Sequence, residues 1–239
     1  MKKNTKKKLF TLMLVIMLLS IAVVGGSLAW FTDEDEVTNT FTVGSVEVKI
    51  NEDFDEPDTM LPIVNHENPA RDPNYVKKVV SIENTGKNNA YLRTWIAVPR
   101  ELADEYLALD LNLGQRSGWN EVRHNRDWIV GEYELYCYYN ANVLVPKDKT
   151  PALLNGVYLK PHTDVQANPN NNGVLEFCMW NPRTNAFVFS GFPAYGSERP
   201  VEVVVITQAV QAEGFNNALE ALNQAFGMPS ETNNPFVTN

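Results

Sequence analysis

Residues 75–99 read "YVKKVVSIENTGKNNAYLRTWIAVP". The first half is a β-prone run that ends in a turn at Asn84, Thr85 and Gly86. The second half, from Asn89, is another such run, stopped by Pro99. A short polar loop, "NTGKNN", joins them, so the pattern predicts two antiparallel strands of one hairpin. Paired runs of this kind, rather than alternating strands and helices, set the fold class.

The same pattern extends in both directions. Upstream, "NTFTVGSVEVKI" alternates apolar and polar residues at Phe41, Val43, Val46, Val48 and Ile50. Its phase shifts by one at Gly44-Ser45, which predicts a kink within an edge strand. Residues 51–74, rich in Asp, Glu, Asn and Pro, read as a long surface loop. Downstream, "RELADEYLALDLNLG" carries Leu102, Tyr106 and Leu109 on one side and predicts a short helix. "DWIVGEYELYCYYN" supplies two strands, or one bent around Gly131, and "VLVPKDKTPALLNGVYLKP" adds strand, turn and strand. "HTDVQANPNNNG" reads as a polar loop. "VLEFCMW", "AFVFSGF" and "VEVVVITQAVQA" are three further strands, the last the most apolar and therefore central. It leads into "GFNNALEALNQAFG", with Phe215, Leu219, Leu222 and Phe226 at helical spacing and Gly227 as a stop. Eight to ten strands with two or three short peripheral helices predict a mainly β domain, an antiparallel β-sandwich over 44–227. Residues 228–239 read as a disordered tail.

The amino terminus has a different character. Lys2, Lys3, Lys6, Lys7 and Lys8 precede an uncharged run from Leu9 to Ala29. This is the pattern of a secretory signal peptide over 1–29. Gly25 and Gly26 weaken the helix, Ser27 and Ala29 are small residues at the positions a signal peptidase reads, and Trp30 follows. A retained anchor is the alternative, because the run is long enough to span a bilayer. Cleavage before Trp30 leaves 210 residues and, with five lysines gone, takes the formal charge from −9 to −14. Such a surface repels nucleic acid and anionic lipid. Contact with the membrane is then expected only through the signal peptide.

The search for chemistry is largely negative. There is no HExxH, no Gly-rich phosphate loop and no GxSxG. His66, His124 and His162 are far apart and sit in loops or at strand edges. Cys137 and Cys178 lie in separate strand runs and read as buried thiols, with a disulfide as the alternative in an exported chain. The acids of 51–74 could hold calcium, but the segment lacks the glycine and ligand periodicity of a calcium loop. A solvated loop is the simpler reading, and no cofactor is expected. In "YELYCYY", period two puts Tyr133, Leu135, Cys137 and Tyr139 on one face and Tyr136 with Tyr138 on the other.

The signal end "GGSLAWFTDEDEVTNTFTVGSVEVKI" resembles exported proteins with a SipW-dependent type of signal peptide, the TasA and camelysin family of Gram-positive bacteria. The blocks "VKKVVSIENTGKNNAYLRTWIAVP", "YNANVLVPKDKTPALLNGVYL" and "VEVVVITQAVQAEGFNNALEALNQAFG" are similar to members of that family, in the expected order. The resemblance implies a jelly-roll-like β-sandwich, export through a specialised signal peptidase, and assembly with itself and other proteins into extracellular biofilm-matrix fibres. It also implies that the freed amino-terminal segment, 30–43, adds as a strand to the next subunit. Here the donated residues would be Thr38, Asn39, Thr40, Phe41, Thr42 and Val43, because the acids Asp33 to Glu36 are dense for a strand that becomes buried. A camelysin-like metallopeptidase and a monomeric surface adhesin are the alternative functions.

Overall fold

The computed structural model describes residues 32–36, 39–42, 46–55, 60–65, 67–103, 105–122, 128–194 and 201–237, the first two segments through their backbone alone. In chain order the strands are β1 (Thr32–Glu36), β2 (Asn39–Thr42), β3 (Val48–Phe54), β4 (Val76–Asn84), β5 (Ala90–Pro99), β6 (Leu107–Leu111) and β7 (Trp119–Glu121). They continue as β8 (Trp128–Val130), β9 (Tyr133–Leu144), β10 (Leu154–Leu159), β11 (Thr163–Asn168), β12 (Val174–Asn181), β13 (Ala186–Pro193) and β14 (Val204–Gln211), followed by α1 (Ala218–Phe226).

One sheet runs β2-β1-β14-β5-β9-β7, with β8 also on β9; a second runs β3-β4-β10-β6; a third is β11-β12-β13. Every strand pair in them is antiparallel. The first two sheets share one core. Val80 and Ile82 of β4 and Leu154 and Val157 of β10 pack with Leu92 and Ile96 of β5, Tyr138 of β9 and Val205 of β14. Phe177 and Phe192 bring the third sheet onto the same core. The chain is a mainly β, jelly-roll-like antiparallel sandwich. As expected, β14 is central, flanked by β1 and β5.

The predicted hairpin of residues 75–99 does not form. β4 pairs with β3 and β10, and β5 pairs with β14 and β9, so the link between them crosses from one sheet to the other. Asn84, fully buried, explains the crossing. Its Nδ2 donates to the carbonyls of Asn88 (2.8 Å) and Leu144 (2.9 Å), and its Oδ1 accepts from Gly86 N–H (3.0 Å). The amide thus ties the end of β4 to the end of β9 across the interface, and local turn chemistry yields to that tie.

Three other expectations change. The strand expected to end at Ile50 runs on to Phe54, into what reads as the acidic loop. There Glu52 pairs with Lys78 and Asp53 with Lys77 of the neighbouring β4, so the acids are cross-strand partners. The helix expected from Leu102, Tyr106 and Leu109 is replaced by turns and then β6. Tyr106 N–H and Leu107 N–H both bond to the Leu102 carbonyl, burying Leu102 and Tyr106, and period two takes over at Leu107, Leu109 and Leu111. The polar loop after His162 contains β11. Glu176, buried, accepts from Asn168 Nδ2 (2.9 Å), Asn171 Nδ2 (2.7 Å) and Gly191 N–H (3.2 Å), which fixes the β11–β12 turn.

The helix α1 forms where expected, with the Asn217 side chain accepting from Glu220 N–H at 2.9 Å as its amino-terminal cap. Its inward face is Ala218, Ala221 and Leu222, set on Tyr91, Val210 and Ala212; Leu219 of the expected face is exposed. Small alanines let the helix lie close to the sheet. After Gly227 the chain turns back: Asn233 Nδ2 donates to the Phe226 and Met228 carbonyls, and Phe236 packs with Trp95 and Trp128. The segment read as a disordered tail therefore covers the outer face of the first sheet. With α1 and this segment on the outside, β5 is buried on both faces.

Candidate assembly edge

The period-two reading of β9 holds. Tyr138 and the partly buried Tyr136 face the shared core, while Leu135 and Cys137 face the outer layer with Trp95 and Trp128. Both faces of the strand are packed. Cys137 and Cys178 are free and buried. Burial pushes the Cys137 thiol well above its ordinary range and the Cys178 thiol up to about 11. Among the described residues no three His, Cys, Asp or Glu side chains gather as a metal-holding group, and His162 is exposed. His66 and His124 lie outside the described residues.

In the acidic 51–74 segment, Asp72 acts as an anchor for the loop. It accepts from Asn65 N–H (2.7 Å), Asn74 N–H (2.9 Å) and Val64 N–H (2.7 Å). These backbone donors, Asn65 first, hold its carboxyl below the usual carboxylate range against the opposing cost of burial.

The feature that bears on assembly is the outer edge of β14. Its inner edge is taken by β5 from Val204 to Gln211. Its outer edge is covered by β1, with Thr32 opposite Val210, Glu34 opposite Gln208 and Glu36 opposite Ile206. β2 lies one strand further out, with Glu34 opposite Phe41 and Glu36 opposite Asn39. Of the six residues expected to be donated, Asn39, Thr40, Phe41 and Thr42 form β2, while Thr38 and Val43 lie outside the described residues. So do the cleavage residues Ser27, Ala29 and Trp30. The strand on the β14 edge is thus the acidic one, Thr32–Glu36, which sequence reasoning set aside because its acids are dense for a strand that becomes buried.

Beneath that edge sits a buried cation. Arg93 of β5 is 1% exposed. Its Nε donates to Gln208 Oε1 (2.8 Å) and its Nη1 to the Gly227 carbonyl (2.9 Å). The latter lies at the carboxyl end of α1, where the helix dipole favours positive charge. The guanidinium also lies over the rings of Phe226 and Trp95, 5.4 and 5.9 Å from their centroids. Arginine keeps its charge when buried.

No protein-family model, no curated protein and no solved structure matches the chain.

The geometry offers a binding edge for a strand. An uncovered β14 would expose a row of backbone donors and acceptors in the middle of the fold, which a strand from any chain with the right register would satisfy.

Proposed function

We propose that the protein is a secreted structural subunit that builds extracellular fibres with copies of itself, each subunit giving segment 30–43 to the β14 edge of the next. The observation that carries this reading is the covering of that edge by the first strand among the described residues, a segment that follows the proposed cleavage site closely. In a single subunit the arm folds onto its own edge; in a fibre the same pairing forms between subunits. The two arrangements share one set of strand contacts, so exchange adds no new interface and is governed by concentration and by the segment that joins the arm to the domain.

Strand pairing of the arm supports the energetics. Each added ladder bond contributes about 0.5–1.5 kcal/mol net, opposed by the cost of ordering the arm. Export by a specialised signal peptidase frees the arm, and other matrix proteins that carry a similar arm can cap or join the fibre. Electron microscopy of two purified chains tests the proposal. A chain beginning at Trp30 forms filaments, and a chain beginning at Gly44 stays folded and monomeric. Identical filaments from both, or none from the Trp30 chain at any pH or calcium level, would overturn it. Chelator-sensitive proteolysis by the pure protein would favour the peptidase alternative instead.

A further inference from the structure

Two neighbouring lysines of β4 each pair with an acid of β3, in opposite surroundings. Lys77 meets Asp53 at the surface, where the two side chains are 45% and 66% exposed. Lys78 meets Glu52 with the side chains only 10% and 17% exposed. Lys78 and Glu52 belong to the inward rows of their strands. Lys78 lies between Val76 and Val80, and Glu52 follows Val48 and Ile50, all of them part of the shared core or packed on it. In the antiparallel register Phe54 stands opposite Lys78 and Glu52 opposite Val80. The amine and the carboxyl therefore meet on the diagonal of one face. The Phe54 ring lies against the amine, its centroid 4.7 Å from Nζ.

These surroundings move the two amines in opposite directions. The hydrogen bond to Asp53 holds the Lys77 amine above its ordinary pKa. Burial pulls the Lys78 amine below its own, against the opposing charge of Glu202. A desolvated ion pair is costly. Moving one proton from the Lys78 ammonium to the Glu52 carboxylate turns the pair into a neutral amine in contact with a carboxylic acid.

We infer that Lys78 and Glu52 are the two ends of an intramolecular amide cross-link, formed in the folded chain between β4 and β3. The free amine of Lys78 bonds through Nζ to Glu52 Cδ, the C–OH bond breaks, and the hydroxyl leaves with one amine proton as water. No oxidant, cofactor or second protein is consumed. The fold supplies the drive. Groups held in reacting contact behave as if at concentrations of up to about 10⁵–10⁸ M. Burial also keeps out the water that would reverse the step, and the product replaces two buried charges with one amide. Lys77 and Asp53 carry the same kinds of group in water and stay an ion pair. Glu52 lies on the first strand of the sandwich after the arm, so the link ties that strand to β4 where the arm pulls on a subunit. That use rests on the fibre reading; the bond itself does not.

Mass spectrometry of the purified chain from Trp30, denatured and reduced, tests the bond whether or not fibres form. The chain is expected to be lighter than its sequence by one water. Trypsin should then cut after Lys77, leave Lys78 uncut, and release residues 50–71 joined to residues 78–87. Lys78→Arg keeps a cation for Glu52 and should have its full sequence mass, while Lys77→Arg should still lack one water. The joined peptide in the parent decides the matter even if Lys78→Arg does not fold. A folded parent of full sequence mass, a missing water that maps to other residues, or one that persists in Lys78→Arg would each overturn the cross-link. Filaments built from unlinked chains would sink the cross-link alone. A cross-linked chain that never polymerises would sink fibre assembly alone.

Discussion

Tyr75 covers Gly156. A Cβ added at Gly156 would fall 2.3–2.6 Å from the ring and hydroxyl of Tyr75, closer than real Cβ contacts come. The ring is held there from two sides: its hydroxyl donates to Asp110 Oδ2 at 2.7 Å, and it stacks on Tyr158 at 6.2 Å between centroids. Gly156 also sits at the register shift where β10 passes between β4 and β6. The contact locks the entry to β4 against the sheet it joins.

Gly156→Ala is therefore expected to destabilise the fold by about 1–3 kcal/mol, the usual cost of forcing atoms into a packed site. Urea denaturation measures it. A variant within about 0.5 kcal/mol of the parent would show that the ring moves aside freely.

Asn84 carries the crossing between the two large sheets. Asn84→Ala leaves the Leu144 carbonyl buried without its side-chain donor and costs about 2–3 kcal/mol. Asn84→Asp sets a carboxylate against two carbonyls and costs more. Thermal or urea unfolding of both variants checks the order; an Asp variant more stable than the Ala variant would contradict the assignment.

Asp72 gives the 60–75 loop a pH dependence of known sign. Its folded pKa lies below the unfolded value of about 4. The stability it contributes is present above that unfolded value and is lost as pH falls through the lower folded one. Protection of the Val64, Asn65 and Asn74 amides, taken relative to the intrinsic exchange rate at each pH, should fall on acidification in the parent. In Asp72→Asn that protection should be low already near neutrality and nearly flat with pH. An unchanged acid response in that variant would show that another group controls the loop.

The thiols should be silent in the folded protein. Cys137 is buried among Trp95, Trp128 and Leu135, and Cys178 lies in the third sheet with its pKa pushed up to about 11. At pH 8 a thiol reagent should label neither at an appreciable rate, and both at once in denaturant without added reductant. Labelling of none after unfolding would point to a disulfide.

Much of the fold was legible in the sequence, and the misses share a cause. β14 could be read because it is apolar and buried along nearly its whole length, and α1 because its buried residues, Ala218, Ala221 and Leu222, recur at the helix period. The β4–β5 crossing was hidden because Asn84 looks like any turn asparagine; its role depends on Leu144, 60 residues away. Residues 102–109 fit a helix by spacing, yet pairing of Leu107, Leu109 and Leu111 with β10 outweighs so short a helix. At the candidate edge, period two in Phe41 and Val43 marked the arm, but the pairing of Thr32–Glu36 with β14 was not legible. The acids are dense for a strand that becomes buried, and the residues that pair with them, Ile206–Val210, are distant in sequence.

The central claim, that the arm of one subunit pairs with the β14 edge of another, can be read directly by a mixed cross-link. One chain carries Glu36→Cys and a second carries Ile206→Cys, residues that stand opposite each other in the register. Facing residues of an antiparallel pair lie about 4.5–5.5 Å apart at Cα, within reach of a disulfide. The two chains, both beginning at Trp30, are mixed in equal amounts, assembled and oxidised gently. The account predicts covalent heterodimers in the filament fraction, absent when either chain is assembled alone with its parent. Filaments that hold no such heterodimer, while a single chain carrying both substitutions closes the bond internally, would contradict it.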